Sequence, residues 1–309
     1  VWAFPTSRPR LGVTATGSLH VFYTANAVSP ANGKPVLAPR YQRSTDGGRR
    51  FEPPRVLAAV PPGDLSAFMH GGYAEAQTFG TLLAHGTTVQ VLWIDTRAMR
   101  SETDNGALYT AISRDDGAAF GADTVLFPDG VCPCCQLSAA AAAGERVYLG
   151  SREVAGGFRD STVARSDDGG RRFGPRVRLG TDRWAIEGCP LKPTVVAVAG
   201  EHVYAAAYSG APEPGGVRFA HSADGGLSFG AFAPVHPEAA VSDAPALLAL
   251  GDGRVVLAWH GKLPASADAP ARRRVFVRTG RDHGARWDPV VAVDDGTAEA
   301  AWPALAATA

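Results

Sequence analysis

Apolar and polar residues alternate along much of this chain with a period of two. VYLGSREV at 147–154, STVARS at 161–166, HVYAAAYSG at 202–210 and VRFAHS at 217–222 each read as a strand with one face turned to a core. A more continuous apolar run, KPTVVAVAG at 192–200, fits a strand buried on both faces. No stretch carries a convincing helical period, and the alanine tract SAAAAAG at 138–144 is far below the ~20 residues needed to cross a bilayer. The pattern predicts an all-β protein.

The strands are punctuated by one recurring turn. STDGGRRF at 44–51, SRDDGAAF at 113–120, SDDGGRRF at 166–173 and SADGGLSF at 222–229 share the template S-x-D-x-G-x-x-[FW], and GRDHGARW at 280–287 is a weaker copy with glycine in place of serine. The residue types have physical roles. Ser44, Ser113, Ser166 and Ser222 supply a local side-chain bond. Asp46, Asp115, Asp168, Asp224 and Asp282 accept backbone N–H groups and set the turn. Gly48, Gly117, Gly170, Gly226 and Gly284 take a backbone conformation that other residues resist. Phe51, Phe120, Phe173, Phe229 and Trp287 are expected to drop back into the core and anchor the hairpin.

The central aspartates are 69, 53, 56 and 58 residues apart, about one four-stranded sheet per repeat. Within a repeat the order is an inner strand (KPTVVAVAG), a second (HVYAAAYSG), a third (VRFAHS), the turn, and a last strand (AFAPV).

These turns match the Asp-box, or BNR, repeat, and essentially the whole chain resembles the sialidase-like β-propellers. The resemblance implies a six-bladed β-propeller of four-stranded antiparallel blades. A single domain over 1–309 then divides into modules 1–60, 61–127, 128–181, 182–238 and 239–295. AWPALAATA, in a partial module at 296–309, reads as the inner strand of a closing sixth blade. The resemblance implies structure more than activity, because function sits in sites and not in folds.

A sialidase site requires three arginines on a substrate carboxylate, a tyrosine nucleophile with a glutamate, and an aspartate acid/base. The first arginine belongs two residues before a proline, but Ser7 stands there before Pro9; Arg8 and Arg10 are out of register. Arg49, Arg50, Arg171, Arg172 and Arg286 fall in or beside the turns, at the periphery. Arg152 and Arg159 are better placed. The expectation is a protein without sialidase chemistry.

Three of the four cysteines crowd into VCPCCQLS at 131–138, and the fourth lies in IEGCPLKP. Cys132-Pro133-Cys134-Cys135, Tyr148 to Arg152, Arg159-Asp160, Trp184 and Gly188-Cys189-Pro190 resemble a subset of sialidase-like proteins with a C-x-C-C and G-C-P motif, which implies export and no settled activity. After Gly-Cys-Pro this chain has Leu191-Lys192-Pro193, where a small polar residue or glycine is expected, so Lys192 alters any ligand loop there. If Cys132–Cys135 and Cys189 open neighbouring inner strands, their sulfurs converge. One reading is two disulfides, Cys132–Cys135 with Cys134–Cys189 or a permutation. The other is a thiolate site for copper or zinc, with His70 and His260 as candidate further ligands.

Arg152, Arg159, Asp160, Trp184 and Lys192 are the candidate binding residues at a channel mouth, with Glu187 and Asp182 as further carboxylates. Trp93, Trp259 and Trp302 are expected to pack between blades. The 30 basic and 30 acidic residues balance, so no net field draws nucleic acid or an anionic membrane. No phosphate-cradling glycine loop and no H-E-x-x-H occurs. Val1 in place of methionine leaves room for a leader or anchor upstream. The sequence points to an exported, periplasmic or extracellular binding or scaffold protein, an accessory subunit with protein partners in a membrane-associated assembly. The alternatives are a periplasmic copper or zinc protein and a divergent glycoside hydrolase.

Overall fold

The computed structural model describes residues 7–30, 32–58, 77–99, 105–181, 183–237, 240–262 and 272–307. His70 and Asp182 lie outside them. The described residues form antiparallel strands with one short 3-10 turn, Asp282–Gly284, and no α-helix. They fall into two compact units, 1–138 with 189–191, and 139–188 with 192–309.

The first unit holds two sheets. One is β1 (Arg10–Val13), β2 (Leu19–Val28), β3 (Pro35–Ser44) and β4 (Arg55–Val56), paired in that order. The other is β5 (Gln77–His85), β6 (Thr88–Asp95), β7 (Gly106–Ser113) and β8 (Thr124–Val131), with β8 running past the expected boundary at 127.

The second unit holds three. The first is β9 (Ser138–Ala141), β10 (Val147–Ala155), β11 (Phe158–Ser166) and β12 (Val177–Arg178). Next come β13 (Thr194–Ala199), β14 (His202–Ser209), β15 (Gly216–Ser222) and β16 (Ala233–Pro234). The last is β17 (Ala240–Ala249), β18 (Val255–Lys262), β19 (Arg273–Arg281) and β20 (Arg286–Trp287), with β21 (Val291–Ala292) also on β19. No strand follows Ala292 among the described residues, so 301–307 do not form the closing inner strand expected there.

Inside each unit the sheets pack face to face, which is why their middle strands are buried on both sides. Tyr204, Val217 and Phe219 of one sheet share a core with Val255, Leu257, Trp259 and Phe276 of the next. Tyr148 and Val163 meet Val203, Ala205 and Ala220 in the same way. In the first unit Phe22 and Tyr41 pack on Leu82, Val91 and Trp93. Trp93 and Trp259 are fully buried.

The four complete Asp-boxes have one geometry. The serine hydroxyl donates to the aspartate (2.6 Å at Ser113 and Ser222) and accepts the glycine N–H (2.8 Å at Gly117 and Gly226). The aspartate also accepts the N–H four residues on, as in Ser228 to Asp224 at 3.0 Å. In the fifth copy, where Gly280 replaces serine, the turn becomes the 3-10 segment at Asp282–Gly284.

The boxes at Gly117, Gly226 and Gly284 are also clasped by the preceding sheet of their unit. A Cβ on Gly117 would lie 1.9 Å from the Tyr41 hydroxyl, and one on Gly226 2.8 Å from the Tyr148 ring. The glycine is therefore required twice, by its positive φ and by the aromatic group against it. The box aromatics follow the same rule. Phe120 meets Tyr41 edge-on at 4.8 Å, Trp287 meets Phe219 at 5.0 Å, and Phe229 packs on the cluster around Tyr148. They sit half-buried in the groove between sheets rather than deep in a core. Phe51 departs from the expectation and is 41% exposed.

Candidate functional site

In the second unit the sequence brings aromatic and charged groups together at the strand ends opposite the Asp-boxes. Arg152 on β10 is 1% exposed and is turned inward. Its Nη1 donates to the Arg159 carbonyl at 2.6 Å, its Nη2 to the Tyr208 carbonyl at 2.7 Å, and its Nε to the Lys192 carbonyl at 3.4 Å. One buried guanidinium thus ties together a hairpin, a strand end and the loop leading into β13. A group committed to three carbonyls does not reach out to grip a substrate carboxylate. The Arg159 side chain is half-buried, and its N–H donates to the Trp184 carbonyl at 2.9 Å.

Asp160 has a similar structural task. Its carboxylate accepts the Trp184 N–H at 3.0 Å, which fixes the segment carrying the indole. The Trp184 ring lies 5.2 Å from the Arg152 guanidinium and 5.2 Å from the Tyr208 ring, tilted by 60°. It packs so closely on Gly210 that a Cβ there would lie 2.2 Å from the indole nitrogen. Trp184 is thereby held as a half-buried platform.

Lys192 completes the cluster. Its ammonium lies 4.8 Å over the Tyr208 ring and pairs with the Asp243 carboxylate. The two side chains keep 21% and 11% exposure, so the pair is sheltered but still open to a ligand. Asp243 is aimed by a bulge in β17, where the register with β18 shifts on both sides of it and Ala244 takes φ 48°. The Ala244 N–H donates back to Asp243 at 2.6 Å. Burial first, and then the charge of Asp243, push the Tyr208 hydroxyl above its ordinary range. That direction is the opposite of what a tyrosine nucleophile needs.

Of the predicted residues, Trp184 and Lys192 both lie against the Tyr208 ring, whereas Arg152 and Asp160 hold backbone beside them. Glu187 is exposed. His260 is buried, and its Nδ1 accepts the Trp302 N–H at 3.2 Å. Sequence reasoning missed Tyr208 and Asp243. The signal for Asp243 was an acid within the otherwise largely apolar inner strand AVSDAPALLA.

In the first unit the cysteines cluster, with Cys132, Cys134 and Cys135 buried and Cys189 exposed. Cys134 is bonded to Cys189, the pairing expected when Cys132 and Cys135 face each other. The Cys132 and Cys135 sulfurs are 2.9 Å apart and not bonded in this structure. With two sulfurs in a disulfide, the thiolates that a soft metal could use reduce to Cys132 and Cys135. The segment after Cys135 docks on the β5 bulge: the Leu137 N–H donates to the Phe79 carbonyl at 2.9 Å, and Gln136 bonds the Gly80 carbonyl. Beside it, Gln136 Oε1 accepts the Arg8 N–H at 3.1 Å. The Arg10 guanidinium reaches the Leu137 carbonyl at 3.4 Å, and burial together with the charge of Arg8 lowers its pKa to about 10. Leu191, in the segment where a small polar residue or glycine is expected, takes φ 55°, a conformation that favours glycine.

No protein-family model matches this chain, and no curated protein matches its sequence. Solved structures do. A protein of unknown function from Dyadobacter fermentans is 17% identical over 86% of this chain and 74% of its own length, with TM-score 0.56. The NanB sialidase of Streptococcus pneumoniae is 9% identical over 98% of this chain, with TM-score 0.59; the chain spans 64% of that protein's length. A family PL25 ulvan lyase, solved with a bound glucuronate–sulfated rhamnose unit, is 13% identical over 95% of this chain and 72% of its own, with TM-score 0.59. At these identities the likeness shows the fold alone: this all-β chain has the fold of the sialidase-like and related propeller glycoside hydrolases and lyases.

Proposed function

We propose that this chain is a saccharide-binding protein of sialidase-like fold that recognises its ligand without sialidase chemistry. The observation that carries the reading is the Trp184–Tyr208–Lys192–Asp243 cluster, where Trp184 packs on Tyr208 and the Tyr208 ring lies against a partly sheltered ion pair. Aromatic rings offer an apolar platform to the C–H face of a sugar ring. A charged donor and acceptor beside them take its hydroxyls through charge-assisted hydrogen bonds. The case against sialidase turnover rests on Arg152, spent on three carbonyls, and on Tyr208, whose hydroxyl is held protonated. An exported, periplasmic or extracellular setting is supported by the Cys134–Cys189 disulfide.

The test is a tryptophan-fluorescence titration with a panel of neutral, uronic and sialylated oligosaccharides, on wild type and on Trp184→Ala. Saturable binding of at least one class that Trp184→Ala weakens more than ~10-fold supports the reading. Equal binding by both proteins, or none by either, refutes it.

A further inference from the structure

The clasp between successive sheets brings three positions of each junction together. They are the residue two before a buried ring (His20, Tyr148 or Tyr204), the residue paired with that ring on the next strand, and the fourth residue of the following Asp-box. In the first unit these are Ser18, Arg43 (opposite His20) and Asp116; Ser18 donates to Asp116 at 2.6 Å and Arg43 donates to its carbonyl at 3.0 Å. Between the first two sheets of the second unit they are Arg146, Arg165 (opposite Tyr148) and Gly225; Arg165 donates to the Gly225 carbonyl at 3.1 Å. Between its last two sheets they are His202, His221 (opposite Tyr204) and His283. At this junction alone of the three, all three converging positions carry imidazole.

We propose that His202, His221 and His283 form a zinc site, independent of the saccharide cluster. Each offers a ring nitrogen, and the three lie within 4.8 Å of one another. His202 Nδ1 and His221 Nε2 already face each other at 2.9 Å. Donors around a tetrahedral zinc, at about 2.0–2.1 Å from the ion, stand ~3.3 Å apart, so the stacked rings have to turn and draw together to close the set. The Tyr204 hydroxyl holds His283 Nδ1 at 2.7 Å, which leaves Nε2 for the metal and supplies the outer partner that metal-bound histidines usually have. A Cβ on Gly253 would lie 3.3 Å from that Nε2, so the glycine keeps the space beside it clear.

All three residues are half-buried, which provides both shelter and an entry path. The His202 and His283 rings stack with centroids 3.7 Å apart. Three imidazoles suit zinc, and a fourth position remains for water or an external ligand.

The experiment uses untagged full-length protein freed of metal by chelation. Zinc chloride is titrated calorimetrically, and cobalt(II) absorption reports the donor set. The proposal expects one zinc per chain and a cobalt spectrum without sulfur-to-metal charge transfer. His202→Ala and His283→Ala should each lose affinity by more than ~100-fold, and Tyr204→Phe, which keeps the ring and the fold, by ~10–100-fold. A sulfur band, zinc binding unchanged in the histidine variants, or no stoichiometric uptake by wild type overturns it.

Discussion

The Tyr148 hydroxyl donates to the Gly225 carbonyl at 3.1 Å, while its ring lies against the next residue, Gly226, in the Asp-box of the following sheet. The box is thus a junction as well as a turn. Gly226→Ala adds a Cβ 2.8 Å from that ring at a residue with φ 83°. It should cost ~2–3 kcal/mol in chemical denaturation. Gly251→Ala, where the Cβ meets nothing within 4 Å, is the control and should change stability by less than ~0.5 kcal/mol.

Arg152 predicts a sharp difference between two basic residues. Arg152→Lys keeps the charge but cannot span three carbonyls, so it should lose ~3 kcal/mol of stability, close to the loss in Arg152→Ala. If lysine restores wild-type stability, the clamp described for the guanidinium is wrong.

The Cys134–Cys189 bond closes a loop of 55 residues in sequence separation. Cys189→Ser should lower unfolding free energy by ~3–4 kcal/mol, and dithiothreitol should have a similar effect on wild type while leaving the stability of the variant, which lacks this bond, unchanged. Urea denaturation of both proteins with and without reductant checks this.

The Asp-boxes predict the acid limb of stability. Asp224 lies below the ordinary carboxylate range because it accepts from the Ser222 hydroxyl, and Asp46, Asp115 and Asp168 are lowered as well. Each folded value is below the unfolded value of about 3.9, so the stabilisation is present above that pH and is lost as pH falls through the folded values. The melting temperature should fall as pH drops below ~4, and Ser222→Ala, which removes the first cause of the lowering, should make that fall smaller and level off at higher pH. A Ser222→Ala acid limb that coincides with wild type would contradict the assignment.

Local chemistry made the fold legible. The S-x-D-x-G spacing is a short-range signal, and the period-two text between copies places β10, β11, β14 and β15 directly. The Cys134–Cys189 pairing was within reach because few partners were available. Long-range geometry was not. Arg152 read as a binding residue because nothing local shows that three carbonyls surround it. Asp243 was hidden because a bulge, not an alternation, aims it. His202, His221 and His283 come from three separated strands and turns, and only the junction between sheets makes them neighbours. Phe51 misled because the box aromatic packs on the sheet before it, which a local template does not encode.

The central claim is binding without cleavage at the Trp184–Asp243 cluster. The most direct measurement follows one oligosaccharide, chosen by the fluorescence titration, through prolonged incubation with the protein, with bound and free sugar analysed by mass spectrometry. The account predicts that wild type retains the sugar intact, that Trp184→Ala and Asp243→Asn retain little of it, and that no new reducing end appears. A time-dependent cleavage product that disappears in Asp243→Asn would contradict it and make the cluster a catalytic centre.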